Sequence, residues 1–168
     1  LDAGVSNLQR ALALADGRLA GNHIERLRTE AHLAWASYEL DRFDDAIAIY
    51  ESILDRVSAE HPAWFRCLVH NDLGVALNRA GRYREAITQL DRSLEFVEGD
   101  PKRRASTLIN LGYAYGYLEN LERAEALYLD AIELLKSLGS SGETAELAYA
   151  LNNHGRILAK LNREDDAL

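Results

Sequence analysis

The chain has 168 residues, 48 % of them hydrophobic, and a formal net charge of −8. This negative charge argues against general binding to nucleic acid or to anionic membranes, because both attract basic surfaces. The single cysteine, Cys67, excludes an internal disulfide framework and predicts a reducing, cytoplasmic location, while no apolar run approaches the roughly 18 residues that span a bilayer.

Apolar residues at helical spacing, with glycines and prolines at the breaks, predict a series of helices along the chain. Pro62 and Pro101 suit the first turn of a helix, and Gly81 and Gly139 suit the end of one. We expect helices at about 3–16, 24–40, 43–58, 62–80, 83–97, 101–118, 121–138 and 144–161, and a further helix from 164.

These helices repeat as pairs. One alanine lies early in the second helix of each pair, and we name these residues the anchor alanines. They are Ala46, Ala86, Ala124 and Ala167, at intervals of 40, 38 and 43 residues. A small residue lies twelve positions before each anchor and a large one four positions after each of the first three. The small residues are Ala34, Gly74, Gly112 and Gly155, and the large ones are Tyr50, Leu90 and Tyr128. Small residues let two helix backbones approach closely, so the pattern predicts a repeated helical hairpin.

The N-terminal segment fits the same unit, with Gly4 as its anchor. The chain then begins and ends within the second helix of a repeat, and we interpret it as part of a longer array. We predict one solenoid domain over 1–168, with a remnant second helix at 1–17, repeats at about 24–58, 62–97 and 101–138, and an incomplete repeat at 144–168.

Three segments carry a family resemblance: Asn71-Asp72-Leu73-Gly74, Gly81-Arg82-Tyr83-Arg84-Glu85-Ala86 and Asn110-Leu111-Gly112-Tyr113. They resemble the tetratricopeptide repeat family, whose common period is about 34 residues. The longer intervals here resemble the long-helix variant of kinesin light chains and bacterial regulators. The resemblance implies an all-α superhelix of antiparallel helix pairs. Ala34 in place of glycine, and His154 where other copies have leucine, depart from the family pattern and affect local packing.

The resemblance also implies that one stripe of each first helix lines a concave groove. Asparagine amides can donate to and accept from a peptide backbone, and tyrosine and tryptophan offer rigid contact area with a polar tip. Three basic side chains in the stripe can receive a carboxylate or phosphate, which indicates an acidic partner. The predicted groove residues are Trp35, Tyr38, Asn71, Asn78, Arg79, Asn110, Tyr113, Tyr117, Asn152, Asn153, Arg156 and Lys160. In the alternative interpretation, the asparagines bond to neighbouring helices and the tyrosines pack between repeats.

No pattern in the sequence indicates catalysis, a metal site or a cofactor. The five histidines lack the spacing of a metalloprotease site, and the glycines are distributed among the repeats instead of forming a phosphate-binding loop. No nucleophile motif of the GxSxG kind is present.

We therefore predict a non-enzymatic module, part of a larger protein, that binds a protein or peptide segment in its groove. One alternative is a regulatory or ligand-sensing domain of a bacterial signalling or transcription-regulator protein. Another is self-assembly through apolar helix faces at the two ends of the array, with Leu1, Leu8 and Leu12 at one end and Leu151 and Leu158 at the other.

Overall fold

The computed structural model describes residues 2–15, 18–97, 99–139 and 145–161. These residues form α1 (Asp2–Ala15), α2 (Ile24–Glu39), α3 (Phe43–Leu54), α4 (Ala63–Arg79), α5 (Tyr83–Phe96), α6 (Pro101–Tyr117), α7 (Leu121–Ser137) and α8 (Ala145–Lys160). Throughout the described segments the regular structure is helical, which confirms the predicted all-α fold. The helix predicted from 164 lies outside the described residues.

One predicted boundary was wrong, because α3 ends at Leu54 and not near 58. The Arg56 guanidinium donates back to the Ser52 carbonyl at 2.9 Å and across to the Gly21 carbonyl at 3.0 Å. His61 then holds the loop from both ring nitrogens. Its Nδ1 accepts from the Ser58 backbone N–H at 3.1 Å, and its Nε2 lies 2.8 Å from the Asn22 carbonyl oxygen. These side-chain bonds turn the chain away from the helix axis.

The three hairpin turns share one backbone geometry. The central residue is left-handed in each, with φ of 57° at Asp41, 77° at Gly81 and 57° at Glu119. The next N–H reaches back across the turn to a helix carbonyl at 3.0, 2.9 and 3.0 Å, respectively. This bond satisfies a carbonyl that the helix end leaves free. Glycine occupies this position in only one of the three turns, so the glycine signal applied to Gly81, while the predicted helix bounds near 40 and 118 placed the other two turns.

In two of the repeats the small residue of the first helix makes room for a large one on the paired helix. A Cβ atom on Gly74 would lie 2.6 Å from Leu90 Cγ, and one on Gly112 would lie 3.0 Å from the Tyr128 ring. Leu90 and Tyr128 are the residues four positions after an anchor. The close approach inferred from the sequence is therefore between the glycine and the large side chain of Leu90 or Tyr128. The anchor alanines Ala86 and Ala124 lie one turn away and are fully buried.

The core runs without interruption along the array, from Leu27 in α2 to Ile157 in α8. Each helix packs on the next, and α2, α4, α6 and α8 also contact one another in succession. The first helices of the repeats thus form one layer, and their shared surface, which we name the inner face, is continuous from repeat to repeat. No helix in the described ranges is long and apolar enough to span a membrane.

Candidate functional site

Three adjoining pockets follow the inner face. The first, which we name the tryptophan pocket, is lined by Arg28, Ala31, His32, Trp35, Trp64, Phe65, Leu68 and Asp72. The second, the central pocket, is lined by Tyr38, Val75, Asn78, Arg79, Asn110, Tyr113 and Tyr149. The third, the tyrosine pocket, is lined by Tyr113, Gly116, Tyr117, Tyr128, Asn153, Arg156, Ile157 and Lys160. Helical spacing explains the alignment, because residues three, four and seven apart lie on one side of a helix.

Ten of the twelve predicted groove residues line these pockets. Trp35 lines the tryptophan pocket, and Tyr38, Asn78, Arg79, Asn110 and Tyr113 lie together around the central one. Tyr113, Tyr117, Asn153, Arg156 and Lys160 lie around the tyrosine pocket. The other two are Asn71, which lies half-buried between α4 and α6, and Asn152, which is exposed on α8.

The asparagine side chains have partners within the chain. The Asn71 Oδ1 atom accepts from the Thr107 hydroxyl at 3.2 Å and from Asn110 Nδ2 at 3.4 Å. Asn78 is buried and donates to the Asn110 carbonyl at 3.0 Å, while buried Asn153 donates to the Tyr149 carbonyl at 2.9 Å. A bound peptide backbone would have to replace these bonds or use the remaining valences of the same amides.

Aromatic rings form a ladder between the central and tyrosine pockets. Tyr117 stacks on Tyr83 with ring centroids 4.8 Å apart, and Tyr113 lies 4.7 Å from Tyr117. A hydrogen bond from Tyr113, helped by Arg156 and Lys160, lowers the pKa of Tyr117, while burial raises the pKa of Tyr113. The Tyr117 side chain is 47 % exposed and lines the tyrosine pocket with Arg156 and Lys160. Tyr83 was not predicted, because it belongs to the second helix of its repeat.

Two of the three basic residues of the predicted groove pair with acidic side chains. Arg79 lies over the Phe43 ring at 5.4 Å and pairs with Asp41 at 3.7 Å. Lys160 pairs with Glu119 at 2.9 Å. The Arg156 guanidinium donates to the neutral Asn153 Oδ1 at 3.3 Å and lies at the rim of the tyrosine pocket.

The tryptophan pocket contains functional candidates that the prediction missed. Trp64 is 46 % exposed at the start of α4, and Trp35 is 41 % exposed on α2. They are the two tryptophans of the chain, and their placement in two consecutive first helices was an available signal. Asp72 completes the pocket. Burial raises the pKa of its carboxyl group to about 6, although the hydrogen bond from Asn71 and the charge of Arg103 act in the opposite direction.

Tyr149 was also missed. It is 47 % exposed on α8 and lines the central pocket together with residues of α4. It lies three residues before the first position of the predicted stripe, and extending the helical spacing by one turn toward the N-terminus would have found it. The described residues contain no group of three or more histidine, cysteine or acidic side chains arranged to hold a metal.

Known proteins resemble this chain in sequence and in fold. Residues 65–137 match the family model described as tetratricopeptide repeat. The human protein "SH3 domain and tetratricopeptide repeat-containing protein 2" is 28 % identical over 145 residues, or 85 % of this chain. The chain spans only 11 % of the length of that relative.

Solved structures show the same fold at low sequence identity. BtubC (BKLC) from P. vanneervenii is 22 % identical with a TM-score of 0.79, over 99 % of this chain and 68 % of that one. A Podosopora anserina protein described as a putative kinesin light chain with nearly identical TPR-like repeats is 19 % identical with a TM-score of 0.76, over 97 % and 80 %. The repeated hairpins and these neighbours show that the chain has the fold of tetratricopeptide repeat proteins, and residues 65–137 also match that family in sequence.

Proposed function

We propose that the chain is a non-enzymatic interaction module that holds a peptide or protein segment along its inner face. The observation that carries this proposal is the row of three adjoining pockets. Between and within them stand exposed aromatic side chains, of which Tyr117 and Tyr149 are each 47 % exposed. Large rigid aromatic groups with a polar tip are the side chains that most often dominate binding energy at protein interfaces.

The mechanism is recognition by a preformed surface. The rings of the inner face are fixed by contacts with one another, as Trp35 is by stacking on Tyr38 at 4.9 Å. Little side-chain entropy is then lost on binding, which favours affinity. An extended or helical segment that follows the row would cross the first helices one after another, so each repeat would contribute contacts.

We also propose that the partner carries an acidic group that binds at one end of the inner face. Arg156 and Lys160 line the tyrosine pocket with Tyr117, and their two positive charges and the tyrosine hydroxyl together suit a carboxylate or phosphate. Glu119 already pairs with Lys160, so the acidic group of a partner would compete with this carboxylate. We assign the acidic contact to this end of the inner face.

We further propose that the chain forms one repeat array over 1–168 and works as the partner-binding part of a larger cytoplasmic protein. The human relative supports this arrangement, since its name combines an SH3 domain with tetratricopeptide repeats and this chain corresponds to 11 % of its length. Recognition by such an array is local and does not depend on catalytic chemistry.

A selection experiment tests the proposal. A phage library of random dodecapeptides is panned on the immobilised chain, and selected peptides are then titrated by calorimetry. Tyr117→Ala and Tyr149→Ala should each weaken binding at least tenfold, because both remove exposed aromatic contacts. Leu129→Ala is the matched control, since Leu129 is 46 % exposed on α7, a second helix. Equal losses in all three variants, or none in the tyrosine variants, would remove the assignment to the inner face.

A further inference from the structure

The tryptophan pocket has a composition that differs from the rest of the inner face. It is lined by Trp35 from α2 and by Trp64 and Asp72 from α4, and Arg28 and His32 of α2 also line it. Its volume is about 170 Å³. An apolar cavity of about 150 Å³ holds benzene, so this pocket has room for a single side chain.

The carboxylate of Asp72 has a neutral hydrogen-bond partner. Asn71 Nδ2 donates to it at 3.2 Å, while the Tyr50 hydroxyl from α3, which donates to the Ala31 carbonyl at 3.4 Å, lies near it. In the described part of the chain Asp72 forms no salt bridge, whereas the nearby cations each have an acid of their own. Arg28 pairs with Glu25 at 3.1 Å, and Arg103 pairs with Asp100 at 3.3 Å. The charge of Asp72 is thus left without a dedicated counter-charge.

The rings of this pocket are suited to a cation. Tryptophan gives the strongest cation–π attraction among aromatic side chains. The chain itself supplies an example, because the Arg28 guanidinium carbon lies 5.9 Å from the centroid of the Trp64 ring. Both indoles are held in place, Trp35 by Tyr38 at 4.9 Å and Trp64 by Phe65 at 5.6 Å. The pocket therefore combines two packed indoles with a half-buried carboxylate.

We propose that the tryptophan pocket binds the cationic side chain, arginine or lysine, of the segment that lies on the inner face. This inference rests on the proposed function and adds to it the chemistry of one residue of the partner. The bound cation would pair with Asp72 and lie against the indoles of Trp35 and Trp64. Desolvating a cation is costly unless a carboxylate compensates, and this is the pairing that Asp72 would supply.

Short peptides serve as the probes. Acetyl-Gly-Arg-Gly-amide and acetyl-Gly-Lys-Gly-amide are titrated into the ¹⁵N-labelled chain, with acetyl-Gly-Leu-Gly-amide and acetyl-Gly-Glu-Gly-amide as comparisons. The chain has two tryptophans, so two indole N–H signals report on the pocket, and Trp35→Phe and Trp64→Phe assign them. We expect saturable shifts of both signals with the cationic peptides only. Equal shifts with the leucine or glutamate peptide would overturn the proposal.

Charge variants separate recognition of the cation from general electrostatics. Asp72→Asn keeps the size of the side chain and should weaken binding of the arginine peptide at least fivefold. Asp130→Asn removes the same charge at an exposed site on α7 and should leave binding unchanged. Trp64→Leu should weaken binding to a similar extent as Asp72→Asn. If both aspartate variants behave alike, the pocket does not recognise the cation.

The same variants distinguish failure of this inference from failure of the proposed function. One outcome would overturn the cation pocket alone. In it, the phage-selected peptides contain no arginine or lysine, and their affinity falls in Tyr117→Ala but is unchanged in Asp72→Asn. Conversely, saturable binding of the arginine peptide without any phage-selected peptide on the inner face would support the pocket and contradict the wider groove.

Discussion

Gly74→Ala tests the close contact between the two helices of the α4–α5 hairpin. In α4 the added methyl carbon would lie 2.6 Å from Leu90 Cγ, 2.7 Å from Leu90 Cδ2 and 3.4 Å from the Ala86 carbonyl oxygen. Leu90 is fully buried, so its branch point cannot move aside without displacing its neighbours. Overpacking of this kind costs about 1–3 kcal/mol. Replacing glycine by alanine within a helix returns about 1 kcal/mol.

The net expectation is a loss of about 0–2 kcal/mol in the free energy of unfolding, measured by urea unfolding with far-UV circular dichroism. For a chain of this size the melting temperature should fall by up to roughly 8 °C. Gly4→Ala is the matched control. A Cβ atom there would meet nothing within 4 Å, so the same change in α1 should raise stability by up to about 1 kcal/mol.

A double variant identifies the atom responsible. Leu90→Ala alone should cost about 2–5 kcal/mol, because it leaves a cavity in the core. Gly74→Ala combined with Leu90→Ala should cost clearly less than the sum, since the new methyl group enters that cavity. If Gly74→Ala stabilises as much as Gly4→Ala, or if the two changes simply add, the contact between α4 and α5 does not set their separation.

Three further outcomes are expected. Asp72→Asn should stabilise the fold by about 1–3 kcal/mol at pH 7 but not at pH 4. The pKa of Asp72 is about 6 in the folded chain against an ordinary 3.8, so the wild-type chain loses stability as the pH rises between these values, whereas the asparagine variant does not. Urea unfolding at both pH values checks this, and a difference independent of pH would contradict it. Asp41→Gly should stabilise the fold by about 0.5–1 kcal/mol and Gly81→Ala should destabilise it by about 1 kcal/mol, because both positions have a positive φ that glycine adopts without strain. A lower melting temperature for Asp41→Gly, or a higher one for Gly81→Ala, would refute this reasoning. Asn110→Ala with Asn153→Ala should weaken a phage-selected peptide without loss of helicity, and unaltered affinity in calorimetry would discard these amides as peptide contacts.

The fold was predictable because its signals are local and repeated. Helix boundaries at Pro101 and Gly81 depend on the chemistry of single residues, and the anchor alanines recur at fixed offsets. The end of α3 was misplaced because it depends on Arg56 and His61 reaching Gly21 and Asn22, which are distant in sequence. Spacing along one helix contains no information about such contacts.

The candidate site was only partly predictable for the same reason. Spacing placed Tyr113 and Arg79 on the stripe that lines the inner face, but it could not indicate that Asn78 would be buried against α6. Tyr83 and Asp72 acquire their surroundings from neighbouring helices, so their importance appears only when the repeats are stacked. Residue type and spacing predict which side of a helix is used, while tertiary contacts decide which groups stay available.

The succession of contacts among α2, α4, α6 and α8 has a mechanical consequence. Each repeat packs only against its neighbours in the array. Small rotations between successive repeats therefore add up along its length. A ligand lying across all three pockets would contact several repeats at once. Binding would therefore reduce the amplitude of bending of the array, and stretching the array from its two ends would weaken the affinity for the ligand.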